Sequence, residues 1–100
     1  MAEKMRLRWT PLAANHLEAA HQFIANDNPT AADEQIEHIL TTVERLEQHF
    51  HLGREGRVEG TRELVITGTP FIVAYRKKGD QVLILDVLHG ARKWPERFDE

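Results

Sequence analysis

Residues 61–95, TRELVITGTPFIVAYRKKGDQVLILDVLHGARKWP, decide the fold of this chain. Three short runs rich in Val, Ile, Leu, Phe and Tyr occupy residues 62–66, 71–76 and 81–89. Apolar runs of this length, bounded by Gly, Pro and Asp, are typical of β-strands. The connection Gly79-Asp80 is short enough for a tight hairpin, because glycine adopts the positive φ that such turns need. The stretch therefore predicts a three-stranded antiparallel meander.

The last of these runs is apolar on both of its faces. Leu83, Leu85, Val87 and His89 share one face, and Val82, Ile84, Asp86 and Leu88 share the other, so both faces are largely apolar. A strand of this kind is covered on both sides. We therefore expect residues 81–89 to form an internal strand of the sheet, with His89 emerging at its end.

Upstream of the meander, the pattern predicts one strand and two helices. Apolar and cationic residues alternate over residues 4–9, which indicates a short strand that joins the sheet at an edge. Thr10-Pro11 is a helix start, and the helix ends near Asn26 because the Asn28-Pro29 step disfavours α conformation. A second helix, from residue 28 or 30 to about residue 50, follows a short connection and forms an antiparallel hairpin with the first. The predicted fold class is α+β, in a single domain of residues 1–100, with residues 51–60 as a loop.

The composition excludes several classes of protein. The chain has no cysteine, so neither a disulfide framework nor a thiolate metal site is possible. No apolar run approaches the roughly 20 residues of a membrane helix, and the N-terminus has no apolar core of signal-peptide length. We therefore expect a soluble, cytoplasmic protein without a membrane partner.

Residue types and spacings also disfavour common catalytic and cofactor sites. Serine is absent, which rules out a serine nucleophile. The segment around Gly53 and Gly56 does not match a phosphate-binding loop, and the six histidines show no ligand spacing. The sequence therefore predicts no metal and no cofactor.

Charge is spread unevenly along the chain. Residues 1–52 carry four Lys or Arg against eight Asp or Glu, whereas residues 53–97 carry nine against six. This asymmetry favours an anionic partner for the second half, although a small excess of cations also simply solvates a surface. Strand-end arginines with His89 predict an anion-binding rim, with Trp94 as an anchor. Two simpler interpretations remain open. His89 is a partly buried histidine whose ring nitrogens already have hydrogen-bond partners, and Trp94 attaches the C-terminal tail to the core.

The segments GREGRVEGTRELVI, PFIVAYR and ILDVLHGARKWP, after a helix hairpin and an N-terminal strand, resemble the RelE/ParE superfamily of type II toxins. The phrase HGAR-x-WP is similar to its ParE-like, plasmid-stabilisation branch. The resemblance covers essentially the whole chain. It implies a toxin that a cognate antitoxin neutralises, in a possible toxin–antitoxin hetero-oligomer. For the antitoxin we expect contacts along the helix hairpin, at Leu17, Ile24, Ile36, Leu40 and Val43.

Two activities occur among the proteins that this chain resembles. ParE-like members bind and poison DNA gyrase, and RelE-like members cut messenger RNA on the ribosome. Residues that would contact the target are Arg62, Arg76, His89, Arg92, Lys93 and Trp94. Under the ribonuclease alternative, Arg62 and Arg92 would bind the phosphate and His89 would transfer the proton, without a metal.

Three departures favour the gyrase-binding hypothesis. Leu64 and Ile72 lie where RelE-like enzymes have cationic residues. Phe98 falls near the position of a late tyrosine, and phenylalanine cannot exchange a proton. We therefore predict an inhibitor of DNA gyrase without chemistry of its own, and keep the ribonuclease as the alternative.

Overall fold

Two helices pack on one face of a five-stranded sheet in the computed structural model, which describes residues 4–98. The strands are β1 (Arg6–Trp9), β2 (Arg54–Glu55), β3 (Arg62–Val65), β4 (Phe71–Lys78) and β5 (Gln81–His89). The helices are α1 (Pro11–Ala25) and α2 (Pro29–Glu44), and two 3₁₀ turns follow at Arg45–Glu47 and Phe50–Leu52. The strand order is β1-β5-β4-β3-β2, with β1 parallel to β5 and the other pairs antiparallel. None of the helices in residues 4–98 is long and apolar enough to cross a membrane.

The predicted α+β class and order of elements are confirmed. The meander is present, and Gly79, with φ of 59°, begins the two-residue turn between β4 and β5. The N-terminal strand lies at an edge of the sheet, as expected, and β5 is internal, between β1 and β4. Thr10 and Asn28 cap the two helices by accepting hydrogen bonds from the amides of Ala13 and Ala31.

The strand count is corrected from four to five. Residues 54 and 55, expected in a loop, form β2 and pair with Glu63 and Arg62 of β3. A strand of two charged residues carries no apolar alternation, so its own sequence does not mark it. Its pairing depends on β3 and on the Glu63 carboxylate, which accepts hydrogen bonds from the Arg54 side chain.

The end of the second helix is also corrected. The helix ends at Glu44 rather than near residue 50, and the chain tightens into 3₁₀ turns. The Thr42 hydroxyl donates to the His38 carbonyl at 2.7 Å, a local bond that competes with regular helix geometry. Leu46 nevertheless reaches the core and is fully buried. Leu46 therefore contributes to the core from the 3₁₀ turn that follows the helix.

The sheet is covered on both of its faces. Between the sheet and the helices lies the main core, whose largest fully buried side chains include Tyr75, Ile39, Ile66 and Ile84. A smaller cluster lies on the opposite face, which we call the back face. It consists of Ala74, Leu83 and Leu85, with Leu88, Trp94 and Phe98 packed against it. The C-terminal tail therefore completes the burial of β5 on both sides. The predicted faces are corrected beyond Leu85, because the register shift there places Val87 in the main core and Leu88 on the back face.

Candidate functional site

The end of β5 leads into a compact turn, residues 89–93, which we call the strand-end turn. The Gly90 amide donates to the Pro70 carbonyl at 2.9 Å, which fastens the turn to the β3–β4 connection. The Arg92 amide donates to the His89 carbonyl at 3.0 Å, and the Ala91 amide donates to His89 Nδ1 at 3.2 Å. Arg92 and Lys93 are exposed. Two cations and an imidazole are thus presented together on an ordered backbone.

Arg62 does not belong to this group. Its Nη2 donates to the backbone carbonyls of Gly53 and His51, in the 3₁₀ turn before β2. Arg62 pairs with Tyr75, in the middle of β4, whereas His89 pairs with Phe71, the first residue of β4, so the two residues lie four positions apart along that strand. That separation is about 13 Å along the strand. The structure therefore does not bring together the three residues of the ribonuclease hypothesis.

Trp94 and Arg76 lie on the back face rather than in the strand-end turn. The Trp94 ring packs against the back-face cluster, and the Arg57 guanidinium carbon lies 3.7 Å above the ring centroid. This arrangement matches the interpretation in which Trp94 pins the C-terminal tail. Arg76 lines a back-face groove of about 270 Å³ together with Arg97 and Phe98.

Replacing Trp94 by alanine is expected to lower the free energy of unfolding by about 2 kcal/mol, because half-buried ring area and the contact with Arg57 are lost. Trp94→Phe is expected to cost less than about 1 kcal/mol, since the buried indole Nε1 has no hydrogen-bond partner within the described chain. Urea unfolding of both variants measures the difference. Equal losses for the two variants would contradict a packing role.

The tryptophan contact belongs to a buried charge cluster around Glu63. Glu63 is only 2% exposed, and its carboxylate accepts hydrogen bonds from the Arg54 side chain and from both the side chain and the amide of Arg57, at 2.7 to 3.3 Å. Burial by itself raises the pKa of Glu63, but the hydrogen bonds from Arg57 and Arg54 outweigh burial and hold the pKa below its ordinary value. The cluster joins β2, β3 and the tail. Sequence reasoning missed it, although a glutamate inside an apolar run is a signal of a paired buried charge.

A second buried carboxylate fastens α1 to β5. His16 Nδ1 lies 2.6 Å from Asp86 Oδ1, and the same oxygen accepts the Val87 amide at 2.8 Å. Asp86 is 2% exposed and sits at a β-bulge, where β5 shifts register against β4. Burial raises the pKa of Asp86, and the hydrogen bond from His16 offsets part of that increase. Three of the six histidines thus make contacts between elements of the fold. His21 Nε2 lies 2.8 Å from Asp33 Oδ1 of α2, and His38 donates through Nε2 to the Thr67 carbonyl at 2.9 Å. Among residues 4–98, no three His, Asp or Glu side chains are grouped as a metal site requires.

The five apolar positions expected to contact an antitoxin lie mostly inside the fold. Val43 is 1% exposed, and Leu17, Ile24 and Ile36 pack against the main core. Leu40, at 39% exposed, is the member that solvent reaches most. Contact of these five residues with an antitoxin stays a prediction. Leu40 is the residue of the five whose side chain a partner could reach most easily on this surface.

The fold indicates the class of protein to which this chain belongs. It is a small α+β domain with a helix hairpin packed on a meander, as in the RelE/ParE superfamily. Residues 7–94 match the model of the family described as ParE toxin of type II toxin-antitoxin system, parDE. The chain belongs to this family.

Individual relatives agree with that assignment. The chain is 39% identical over 93 residues to Y4kP of Sinorhizobium fredii, named as a candidate toxin, covering 93% of this chain and 96% of the relative. It is 32% identical over 85 residues to Toxin RelE3 of Caulobacter vibrioides, covering 83% and 91%. A solved chain of the chromosomal ParDE TA system from P. aeruginosa superposes with a TM-score of 0.78 at 30% identity, covering 86% of this chain and 96% of that one.

Proposed function

We propose that this protein binds and poisons DNA gyrase as the toxin of a type II module, and that a cognate antitoxin neutralises it. The observation that carries the proposal is the strand-end turn. It places the exposed cations Arg92 and Lys93 beside His89 on a backbone held by three hydrogen bonds. A rigid cationic turn suits recognition of an acidic protein surface, because little conformational entropy is lost on binding.

The same geometry favours binding over RNA cleavage. Cleavage by acid–base chemistry requires the proton-transfer group and the phosphate-binding cations to surround one phosphate. Arg62 instead donates to the backbone carbonyls of His51 and Gly53, about 13 Å along β4 from the position of His89. The ribonuclease alternative would therefore need a different set of residues from the one the resemblance implies.

The first test is induction of the chain in a bacterial host, with plasmid DNA and messenger RNA examined in the same cells. We expect growth arrest, gyrase trapped on broken DNA, and intact messages. Co-expression of the cognate antitoxin should restore growth. Messages cut within codons, with DNA unharmed, would overturn the proposal in favour of a ribosome-dependent ribonuclease, and normal growth would contradict toxicity altogether.

Reversing the charges of the strand-end turn tests the surface itself. The double variant Arg92→Glu/Lys93→Glu should weaken growth inhibition about 100-fold, since like charges at an interface cost several kcal/mol. Surviving colonies and gyrase-dependent DNA cleavage with purified protein provide the measurement.

The matched control is Lys77→Glu/Lys78→Glu, which makes the same change of charge beside the β4–β5 turn, at the opposite end of β4. This control should remain toxic. If both double variants lost activity equally, net charge rather than the strand-end turn would be responsible.

A further inference from the structure

His89 closes the strand-end turn with two different groups. Its carbonyl accepts a hydrogen bond from the Arg92 amide at 3.0 Å, and its ring Nδ1 accepts one from the Ala91 amide at 3.2 Å. A side chain that accepts from the amide two residues further on forms an Asx turn, in which asparagine or aspartate supplies the oxygen. In this protein an imidazole nitrogen takes the place of that oxygen.

The acceptor role determines which ring nitrogen carries the proton. A backbone N–H can only donate, so the Nδ1 atom that accepts from Ala91 has no hydrogen, and the neutral ring carries its hydrogen on Nε2. If Nδ1 gained a proton, two donors would face each other and the bond would be lost. Closure of the turn therefore depends on the δ position of the residue 89 side chain, and Nε2 takes no part in it.

Contacts from β4 hold the imidazole in place. The Phe71 ring meets the His89 ring edge to face, with the centroids 6.0 Å apart and the planes at 79°. Phe71 is 8% exposed and belongs to the main core. Beside it, the Pro70 carbonyl accepts the Gly90 amide at 2.9 Å. The ring is thus supported by buried structure while it closes an exposed turn.

The turn presents positive charge to solvent. Arg92 and Lys93 follow Ala91 directly, and both are exposed. Residues 66–72, which include the connection that fastens the turn, contain no ionisable side chain. No carboxylate in that segment can therefore orient the two cations. The path of the backbone through Ala91 sets the direction in which both side chains leave the protein.

We propose that His89 is a positioning residue for target recognition. Its unprotonated Nδ1 closes the turn and so holds Arg92 and Lys93 in the arrangement that an acidic protein surface binds. The imidazole acts through these cations rather than by transferring a proton. The inference rests on the proposed function and deepens it, because it assigns different roles to the ring and to the cations. A closed turn binds more tightly than a loose one, since less conformational entropy is lost on binding.

Replacements of His89 separate this role from its alternatives. His89→Asn keeps an acceptor at the δ position, His89→Gln moves it to the ε position, and His89→Phe keeps an aromatic ring without an acceptor. We expect His89→Phe and His89→Gln to weaken binding to purified gyrase about fivefold, the worth of roughly one hydrogen bond. His89→Asn should recover binding to within about twofold of the wild type. Titration calorimetry measures the affinities, and growth inhibition in induced cells should follow the same order.

Stability should follow a different order from binding. His89→Phe retains the edge contact with Phe71 and should unfold at the same urea concentration as the wild type, whereas His89→Asn loses that contact and should unfold earlier. A variant that is less stable than His89→Phe and yet binds better cannot be explained by a general role in folding. The matched control is His51→Phe, because His51 makes a similar edge contact with Phe50, at 5.2 Å. This control should leave binding unchanged.

Nuclear magnetic resonance of the free, isotope-labelled chain tests the turn without any target. Long-range correlations of the His89 ring at about pH 8 should show hydrogen on Nε2 and none on Nδ1. The Ala91 amide should exchange with solvent about fivefold more slowly in the wild type than in His89→Phe. A neutral ring with its hydrogen on Nδ1, or equal exchange of Ala91 in the two proteins, would overturn the proposal.

The binding results decide between the remaining roles of His89. Recovery by His89→Gln but not by His89→Asn would mean that Nε2 contacts the target directly, and wild-type affinity of His89→Phe would mean that the ring nitrogens have no role. Either result overturns the proposal, as would cut messages that all three variants abolish. If the wild type stops growth without binding gyrase, the gyrase assignment fails, and the order of the variants in growth inhibition then decides the role of His89. A wild type without toxicity would overturn both.

Discussion

Glu63→Gln is expected to lower the free energy of unfolding by about 2 to 3 kcal/mol at neutral pH, because the variant loses the charge that several charge-assisted hydrogen bonds require. The amide keeps one acceptor oxygen but turns an NH₂ group toward arginine donors, which also donate. Urea unfolding at pH 7 measures the loss. The effect is large because the carboxylate is almost completely buried, although Arg54 and Arg57 remain partly exposed.

The pH dependence of Glu63→Gln gives an independent check. The pKa of Glu63 is lowered in the folded state, so its carboxylate stabilises the fold above the ordinary value of 4.5, and that contribution disappears as the pH falls through the lower folded value. The difference in stability between wild type and Glu63→Gln should therefore shrink steadily below pH 4.5. A difference that stayed constant into the acid range would mean that shape, rather than charge, accounts for the loss.

Gly53→Ala is expected to cost about 3 kcal/mol of folding free energy, through overpacking. A Cβ at this position would lie 2.6 Å from both the Glu63 carbonyl oxygen and the Tyr75 hydroxyl oxygen. Neither neighbour can retreat easily, because one is strand backbone and the other is a fully buried ring whose hydroxyl donates to Phe50 and accepts from Gly53. Thermal or urea unfolding provides the measurement.

The control for Gly53→Ala is Gly68→Ala. Gly68 has a φ of 82° with open space around it, so alanine there meets backbone strain alone and should cost about 1 kcal/mol. Equal costs at the two positions would argue against crowding at Gly53.

The buried carboxylates and the strand-end turn have different roles in the protein. Glu63 and Asp86 hold the sheet to the tail and to α1, whereas Arg92 and Lys93 of the strand-end turn are exposed to solvent. Variants of Glu63 and Asp86 should therefore change stability, and variants of the strand-end turn should change binding. A loss of toxicity in Glu63→Gln that followed its loss of stability would fit this division.

Local patterns predicted much of the fold. Alternation in residues 4–9, the Thr10-Pro11 start and the Gly79-Asp80 turn each act over a few residues, so they can be recognised without knowing the rest of the chain. Two apolar faces likewise predicted that β5 is internal. The strand-end turn was visible for the same reason, since His89, Arg92 and Lys93 are neighbours in sequence.

By itself, the sequence determined the class, the order of the main elements and the family. Tertiary structure alone decided that β1 runs parallel to β5, that Arg62 donates to Gly53, and that His16 meets Asp86 across 70 positions. It also decided that Arg54 and Glu55 form a fifth strand, β2, which pairs with Glu63 and Arg62 of β3. These features depend on which strand lies beside which and in what register, and that choice follows from burial of the whole core rather than from any short segment.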